Sequence, residues 1–196
     1  LGVMGILSLS WLFLIVALAL LAPVLPLEDP NEIIASFARQ PPGTDGHIFG
    51  GDALGRDLLS RVIWGARASL LIGTLSVLLG LILGGLLGLI AGYFRGRWDG
   101  VLTGGFDVLL SFPQLILALT LVTVFASGAG TTYGKRMTVL ILALGVVSIP
   151  VLGRITRANT LSWTQREFVL AARALGAKQR EIMFKEVLPN VLPAMF

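Results

Sequence analysis

The stretch SLLIGTLSVLLGLILGGLLGLIAGYF (69–94) decides the class of this protein. It contains no charged side chain and is long enough to cross a bilayer, which takes about 20 residues. Four of its glycines recur at every fourth position and therefore lie close to one helix face, where a neighbouring helix can approach closely. We expect tight helix packing along this face, with a flexible gating hinge as the alternative. These glycines are Gly80, Gly84, Gly88 and Gly92.

Three other segments have a similar character and lie at about 4–25, 101–126 and 137–155. The third span contains Asp107 and Pro113 in its first half, and the fourth contains Pro150. Asp107 is either a functional carboxylate inside the membrane or a solvated residue near the helix end. The prolines are tolerated in membrane helices and often mark a kink. The sequence therefore predicts an all-α, polytopic membrane protein with four complete spans.

The first span has a rival interpretation as a cleaved signal peptide, because ALA at 17–19 resembles a cleavage site. The visible start lacks a basic region and the apolar run continues past that site, so we expect a retained span. Composition agrees with a membrane protein: 55% of residues are hydrophobic and 13% are charged, whereas soluble domains carry about 25% charged residues. With no cysteine, disulfides and thiolate metal sites are excluded.

The net charge of +4 suggests membrane orientation rather than nucleic-acid binding. Lys and Arg number four in loop 26–68 and two in 127–136, against two in 94–100 and seven in 154–190. Basic residues favour the cytoplasmic side. We therefore expect the N-terminus and the loop 156–190 in the cytoplasm, and the loop 26–68 outside it.

The polar segment TQREFVLAARALGAKQREIMFKEVLPN (164–190) follows the fourth span. Thr164 and Glu167 match a capping box, which predicts a helix from about Gln165. Gly176 can take the left-handed conformation that ends a helix, and Leu188-Pro189 is expected to close a second one. The predicted apolar stripe of the first helix comprises Phe168, Ala171 or Ala172, and Leu175; that of the second comprises Ile182, Met183 and Val187. Such a segment either lies on anionic lipid headgroups or docks in a groove of a cytoplasmic partner.

The loop before the second span contains HIFGGDALGRDLLSRVIWGARASL (47–70). Gly50-Gly51-Asp52 and Gly55 indicate sharp turns. A helix from about Arg56 would pair Asp57 with Arg61 and lie along the membrane as an interfacial entry helix. His47, the single histidine, is expected to be a turn residue, since one histidine cannot build a metal site.

The sequence AARALGAKQREIMFKEVLPN (171–190) resembles the EAA-type loop of permease subunits in bacterial ABC importers. The matching residues are Ala171, Ala172, Gly176, Leu188 and Pro189. Two positions depart from the motif, with Leu170 in place of its leading Glu and Glu186 in place of its Ile. The resemblance implies a coupling helix seated on an ATP-hydrolysing subunit, with a glycine turn. The implied ATPase-coupling residues are Arg166, Glu167, Leu170, Ala171, Ala172, Gly176, Leu188 and Pro189.

The loop 47–70 is similar to the signature of the dipeptide/oligopeptide/nickel permease group, C-type subunit. FDVLLSFPQLILAL (106–119) is similar to the third span of that group, except that Gly104 replaces an Arg usual three residues before Asp107. Any ion pair that this Arg makes is therefore absent. The implied signature residues are Asp52, Gly55, Arg56, Asp57, Arg61 and Arg67.

Together these resemblances imply a single permease domain (1–196) of type I ABC importer fold in a bacterial or archaeal cytoplasmic membrane, and membrane lipid around it. They imply as partners two ABC ATPase subunits, a second, related permease subunit and an external solute-binding protein. ATP and Mg would belong to the ATPase, because this chain has no phosphate-loop motif and is expected to be non-enzymatic. Residues 191–196 look like the start of a further span. Relatives are expected to have about two further spans after the loop 156–190. Peptides or related small solutes are the expected cargo, and an ion-coupled secondary transporter is the alternative.

Overall fold

The computed structural model describes residues 2–128 and 130–195, and Phe196, which belongs to the predicted start of a further span, lies outside them. The described chain is helical, with a single isolated β-bridge between Gly51 and Asp57. The long helices are α1 (Val3–Leu21), α2 (Leu58–Phe94), α3 (Gly96–Ser111), α4 (Gln114–Ala126) and α5 (Tyr133–Trp163). The shorter ones are α6 (Glu167–Ala174), α7 (Gln179–Glu181) and α8 (Leu188–Val191), with a π-helical stretch at Ile182–Val187 and 3-10 turns at Ala35–Phe37, Thr44–Gly46 and Leu192–Ala194.

Three helices, α1, α2 and α5, are long and apolar enough to cross a membrane. The predicted third span is not one straight helix, because α3 and α4 are bent by 84° at a short break. The break falls at Pro113, which has no N–H to donate and forces Phe112 into an extended conformation (φ −87°, ψ 136°). Counting this bent pair as one span gives the four predicted. The helix α5, in contrast, continues through Pro150.

The predicted entry helix and second span form the single helix α2, which starts at Leu58 rather than at Arg56. The chain divides into two compact units, residues 1–72 and 73–196. The first contains α1, the loop that follows it and the start of α2, and Phe37 is buried within that loop. The second contains the rest of α2 and the helices that pack on it.

The glycine face of α2 packs against α5 in the second unit. A Cβ atom added at Gly84 would lie 2.5 Å from the carbonyl oxygen of Ile149, and one added at Gly88 would lie 2.9 Å from Thr156 Cβ. Such distances are below van der Waals contact, so the two backbones approach more closely than any larger residue would allow. Gly80 and Gly92 face Ser148 and Thr160 of α5, respectively. A Cβ added at either glycine would lie 2.7 Å from the Cβ of the facing residue.

Candidate functional site

The polar segment 164–190 is anchored by an apolar cluster. Val169 of α6 and Ile182, Met183 and Val187 of the π-helical stretch are all buried, at 5% exposure or less. They pack with Leu89 and Tyr93 near the end of α2 and with Val191. The apolar side predicted for the second helix therefore lies inside the fold instead of on lipid or a partner. Burial of these side chains holds α6 against the spans.

The outer surface of α6 is apolar as well. The predicted stripe faces outward, as a surface for lipid or a partner would: Phe168 and Leu175 are 40% and 88% exposed, and Ala171 is exposed too. The buried side of the helix is formed by Val169 and, in part, Ala172. Three large apolar side chains thus face away from the cluster, since Leu170 is also 51% exposed.

The start of α6 differs from the predicted capping box. The helix begins at Glu167, and Arg166 holds the N-cap position with extended backbone angles. Thr164 is unable to cap it, because its Oγ1 donates to the carbonyl oxygen of Leu161 (2.9 Å) and accepts from Arg95 Nη2 (3.3 Å). The Arg166 guanidinium instead lies over the Trp163 ring, 5.2 Å from its centroid.

The end of α6 is a glycine turn. Gly176 has φ +79°, in the left-handed region. Its N–H donates to the carbonyl of Arg173 (3.0 Å), and the N–H of Ala177 donates to the carbonyl of Ala172 (3.1 Å). This pair of hydrogen bonds is the Schellman motif, in which glycine is favoured because a Cβ is strained at positive φ.

Leu188-Pro189 does not close the second helix, contrary to the prediction. The N–H of Leu188 donates to the carbonyl of Met183, five residues earlier, and α8 then continues to Val191. Pro189 lies in the first turn of α8, where a missing N–H costs no hydrogen bond. The π-helical spacing before Pro189 lets the chain stay helical through it.

Polar contacts connect the segment to the end of α2. Tyr93 is 5% exposed and its Oη lies 2.6 Å from Gln179 Oε1. The guanidinium of Arg173 lies over the Tyr93 ring, 5.6 Å from the centroid. A cleft of about 520 Å³ opens beside these contacts, lined by Tyr93, Phe94, Arg95, Leu170, Arg173 and Gln179.

Two ion pairs link the bent pair of helices to α5. Arg157 holds Asp99 through both carboxylate oxygens, with Nη2 2.7 Å from Oδ2, and Thr103 Oγ1 donates to Oδ1 at 3.0 Å. Arg154 pairs with Asp107, and both side chains are about half exposed. Gly104 stands three residues before Asp107, where the resembled family has an Arg. The partner of Asp107 is Arg154 of α5 instead.

The signature loop is organised around Asp52. Its Oδ1 accepts from the backbone N–H groups of Leu54 (2.8 Å) and Arg56 (3.0 Å), and its Oδ2 lies 2.8 Å from Arg56 Nε and 3.2 Å from Arg61 Nη1. The Arg56 backbone N–H, followed by the Leu54 N–H and the Arg56 side chain, lowers the pKa of Asp52 to about 2 against the opposing effect of desolvation. Gly55 has φ +82° and lies against the Ile34 carbonyl oxygen, so this turn needs a glycine.

The predicted pair of Asp57 with Arg61 is wrong, because Arg61 reaches Asp52 instead. Asp57 caps α2: its Oδ2 accepts from the Ser60 N–H at 2.7 Å. Desolvation raises the pKa of Asp57, but the Ser60 N–H and His47 more than offset it, so the pKa is lowered. His47 Nδ1 lies 3.1 Å from Asp57 Oδ1 and its ring packs on Phe37, with centroids 4.1 Å apart. Arg67 lies over Trp64, 5.5 Å from the ring centroid.

The comparisons with known proteins address the same segments. A family described as "Binding-protein-dependent transport system inner membrane component" matches residues 84–196, which include the end of α2, α5 and the whole polar segment. The chain belongs to this family. Residues 84–196 make up more than half of the sequence, and the membrane assignment from the apolar helices agrees with the family description.

Individual relatives are named as permease proteins of peptide or glutathione transport systems. The dipeptide permease DppC of Alkalihalophilus pseudofirmus is 36% identical over 98% of this chain and 59% of its own length. The di/tripeptide permease DppC of Pseudomonas aeruginosa is 39% identical over 97% of this chain and 61% of its own. The glutathione permease GsiD of Pectobacterium atrosepticum is 36% identical over 92% and 57%. The chain thus spans about three fifths of the length of these relatives.

Several residues that build this site escaped sequence reasoning. From the sequence, Tyr93 is only the end of a span, and Val169 lies outside the predicted apolar stripe. A signal existed for Val169, since Val169 and Ala172 are also three residues apart on a helix. Asp99 carried no signal, because its partner Arg157 is 58 residues distant in the chain. Among the described residues, no group of three His, Asp or Glu side chains forms a metal site.

Proposed function

We propose that this chain acts as a transmembrane permease subunit of an ATP-driven importer for peptides or a related small solute. The proposal rests on the family and on the names of the relatives, which are permeases for dipeptides, di/tripeptides and glutathione. The implied partners are two ABC ATPase subunits, a second permease subunit and an external solute-binding protein. ATP and Mg would be bound by the ATPase, and the polar segment would lie in the cytoplasm.

We further propose that α6 is the coupling helix. The observation that carries this assignment is its double-sided apolar character: Val169 is buried at 0% exposure, whereas Leu175 is 88% exposed on the outer surface. The buried side ties α6 to the spans, and the outer side offers an apolar surface to a groove. Closure of the ATPase subunits would then move α6 and, through the apolar cluster, the end of α2.

The experiment is a pull-down of the tagged full-length subunit from native membranes, with ATPase activity measured in the eluate. Leu175→Ser removes an outer apolar side chain without disturbing the apolar cluster. Gly176→Val strains the left-handed turn, whereas Gly176→Asn is a matched control because asparagine tolerates that conformation. We expect the first two variants to lose the ATPase and Gly176→Asn to retain it.

If all three variants recovered as much ATPase as the wild type, α6 would not be the element that docks on the ATPase. Uptake that continued without a bound ATPase would instead favour the ion-coupled alternative. Correctly inserted variants are identified by unchanged protease resistance of the spans, so that loss of docking is separated from loss of folding.

A further inference from the structure

The cleft beside Tyr93 lies on a different flank of α6 from Phe168 and Leu175. At 100° per residue, Leu170 and Arg173 point roughly away from Leu175. A partner that covers Phe168 and Leu175 would therefore leave the cleft free. Its volume of about 520 Å³ falls within the range of about 300–1,000 Å³ that is usual for small-molecule sites.

The cleft is positively charged. Arg95 and Arg173 both line it, and neither has a carboxylate within 4 Å among residues 2–128 and 130–195. The nearby carboxylate of Asp99 already has hydrogen-bond partners, because Arg157 and Thr103 donate to its two oxygens. Two guanidinium groups thus share one cleft with no anion from the described chain, and guanidinium groups bind phosphate and carboxylate well.

Arg95 is held in an unusual backbone conformation. Its angles, φ 56° and ψ −165°, belong to a region that is essentially restricted to glycine. Strain of this kind persists where the surrounding structure requires it. Here it accompanies the contact of Arg95 Nη2 with Thr164 Oγ1, which also lines the cleft. The strained residue therefore holds its guanidinium at the rim of the cleft.

The cleft lies where α2, a candidate span, ends. Phe94 and Trp98 are 48% and 61% exposed there, and exposed aromatic side chains next to basic ones are typical of the membrane–water interface. Basic pockets between membrane helices at this depth bind phospholipid headgroups. Phe94 and Leu170 add apolar walls that match the first methylene groups of the acyl chains of a lipid.

We propose that this cleft binds a phosphate group through Arg95 and Arg173, and that an anionic phospholipid headgroup is its source. Free phosphate shares the same chemistry but lacks the apolar part that fits Phe94 and Leu170. The proposal concerns a lipid site and does not depend on the coupling role of α6.

The test compares the full chain in nanodiscs of phosphatidylcholine with the full chain in nanodiscs that also contain phosphatidylglycerol. Tm is followed by tryptophan fluorescence, and retained lipids are counted by native mass spectrometry. We expect phosphatidylglycerol to raise Tm and to remain bound to the wild type. The Arg95→Gln/Arg173→Gln variant should lose both effects, whereas Arg97→Gln/Arg180→Gln, with the same change of charge outside the cleft lining, should keep them.

Two further arms separate the possible sources and guard against a folding defect. Leu170→Glu places a carboxylate in the cleft and should exclude phosphatidylglycerol while leaving Arg95 and Arg173 in place. Inorganic phosphate added to phosphatidylcholine nanodiscs should have little effect; if it raised Tm as much as phosphatidylglycerol, free phosphate would replace lipid as the ligand. Equal losses in both double variants, or no response to either anion, would overturn the proposal.

Discussion

Tyr93 Oη and Gln179 Oε1 lie 2.6 Å apart and join the end of α2 to α7 across 86 positions of the sequence. Tyr93 also belongs to the apolar cluster that holds Val169 and Ile182. The polar segment is therefore joined to α2 both by packing and by a directed hydrogen bond. The Arg173 guanidinium over the same ring adds a third connection.

The first prediction concerns this hydrogen bond. Tyr93→Phe keeps the ring but removes the hydroxyl, so we expect a loss of about 1 kcal/mol of stability and weaker coupling between ATP hydrolysis and uptake. Thermal unfolding and the ratio of ATP hydrolysed to solute transported check it. In a double-mutant cycle with Gln179→Ala the two effects should not add, because they remove the same bond. Full additivity would mean that the hydrogen bond contributes nothing.

The second prediction concerns the glycine face of α2. Gly88→Ala places a methyl group against Gly153 and 2.9 Å from Thr156 Cβ. Overpacking of this kind costs about 1–3 kcal/mol, so Tm should fall. Gly73→Ala is the matched control in the same helix, since no described atom beyond the adjacent backbone of α2 and the neighbouring residues lies within 4 Å of its added Cβ. We expect that change to leave Tm unchanged or to raise it slightly, and an equal fall for both variants would refute the packing role.

Local and periodic features were well predicted from the sequence. The four glycines face α5 because a spacing of four keeps residues on one side of any helix. Gly176 ends α6 at positive φ because glycine alone takes that conformation without strain. Ile182, Met183 and Val187 share one side of their helix as predicted, but that side packs on Leu89 and Tyr93 of this chain, which the sequence did not indicate. The departures from the sequence-based expectations arise where the partner of a residue is remote in the chain.

Thr164 illustrates this limit. Its spacing from Glu167 matches a capping box, but Arg95, 69 positions earlier, donates to its hydroxyl, and that hydroxyl donates to Leu161. Asp57 fails for a different reason: Arg61 is one turn away yet reaches the nearby Asp52, because Asp57 caps α2 through the Ser60 N–H. On α6, the side with Phe168 and the side with Val169 are both apolar. The sequence alone therefore does not determine which of the two is buried. Where the local sequence permits two hydrogen-bond partners or two buried faces equally well, tertiary contacts determine which one forms.

The third prediction concerns the ion pair between Asp99 and Arg157. Arg157 contacts both carboxylate oxygens, and lysine cannot reproduce this fork. Arg157→Lys should therefore lower Tm even though charge is kept, by a loss of about 1 kcal/mol or more. Arg97→Lys, at an exposed position of α3, is the control and should leave Tm unchanged. If Arg157→Lys behaved like the control, the second hydrogen bond would be irrelevant to stability.

The fourth prediction is an acid response of the signature loop. The pKa of Asp52 is lowered to about 2 in the folded protein, below the value of about 3.9 in an unfolded chain. The stabilisation is therefore complete above about pH 4 and is lost as the pH falls through about 2. Hydrogen exchange at the amides of Leu54 and Arg56, which Asp52 holds, should accelerate over this range.

Asp52→Asn supplies the comparison for the acid response. An amide oxygen can still accept from the two backbone N–H groups but cannot pair with Arg56 and Arg61. In this variant the exchange of both amides should already be faster at pH 7 and should change less between pH 4 and pH 2. A wild-type loop whose exchange followed the intrinsic pH dependence of unstructured amides over that interval would show that Asp52 does not organise it.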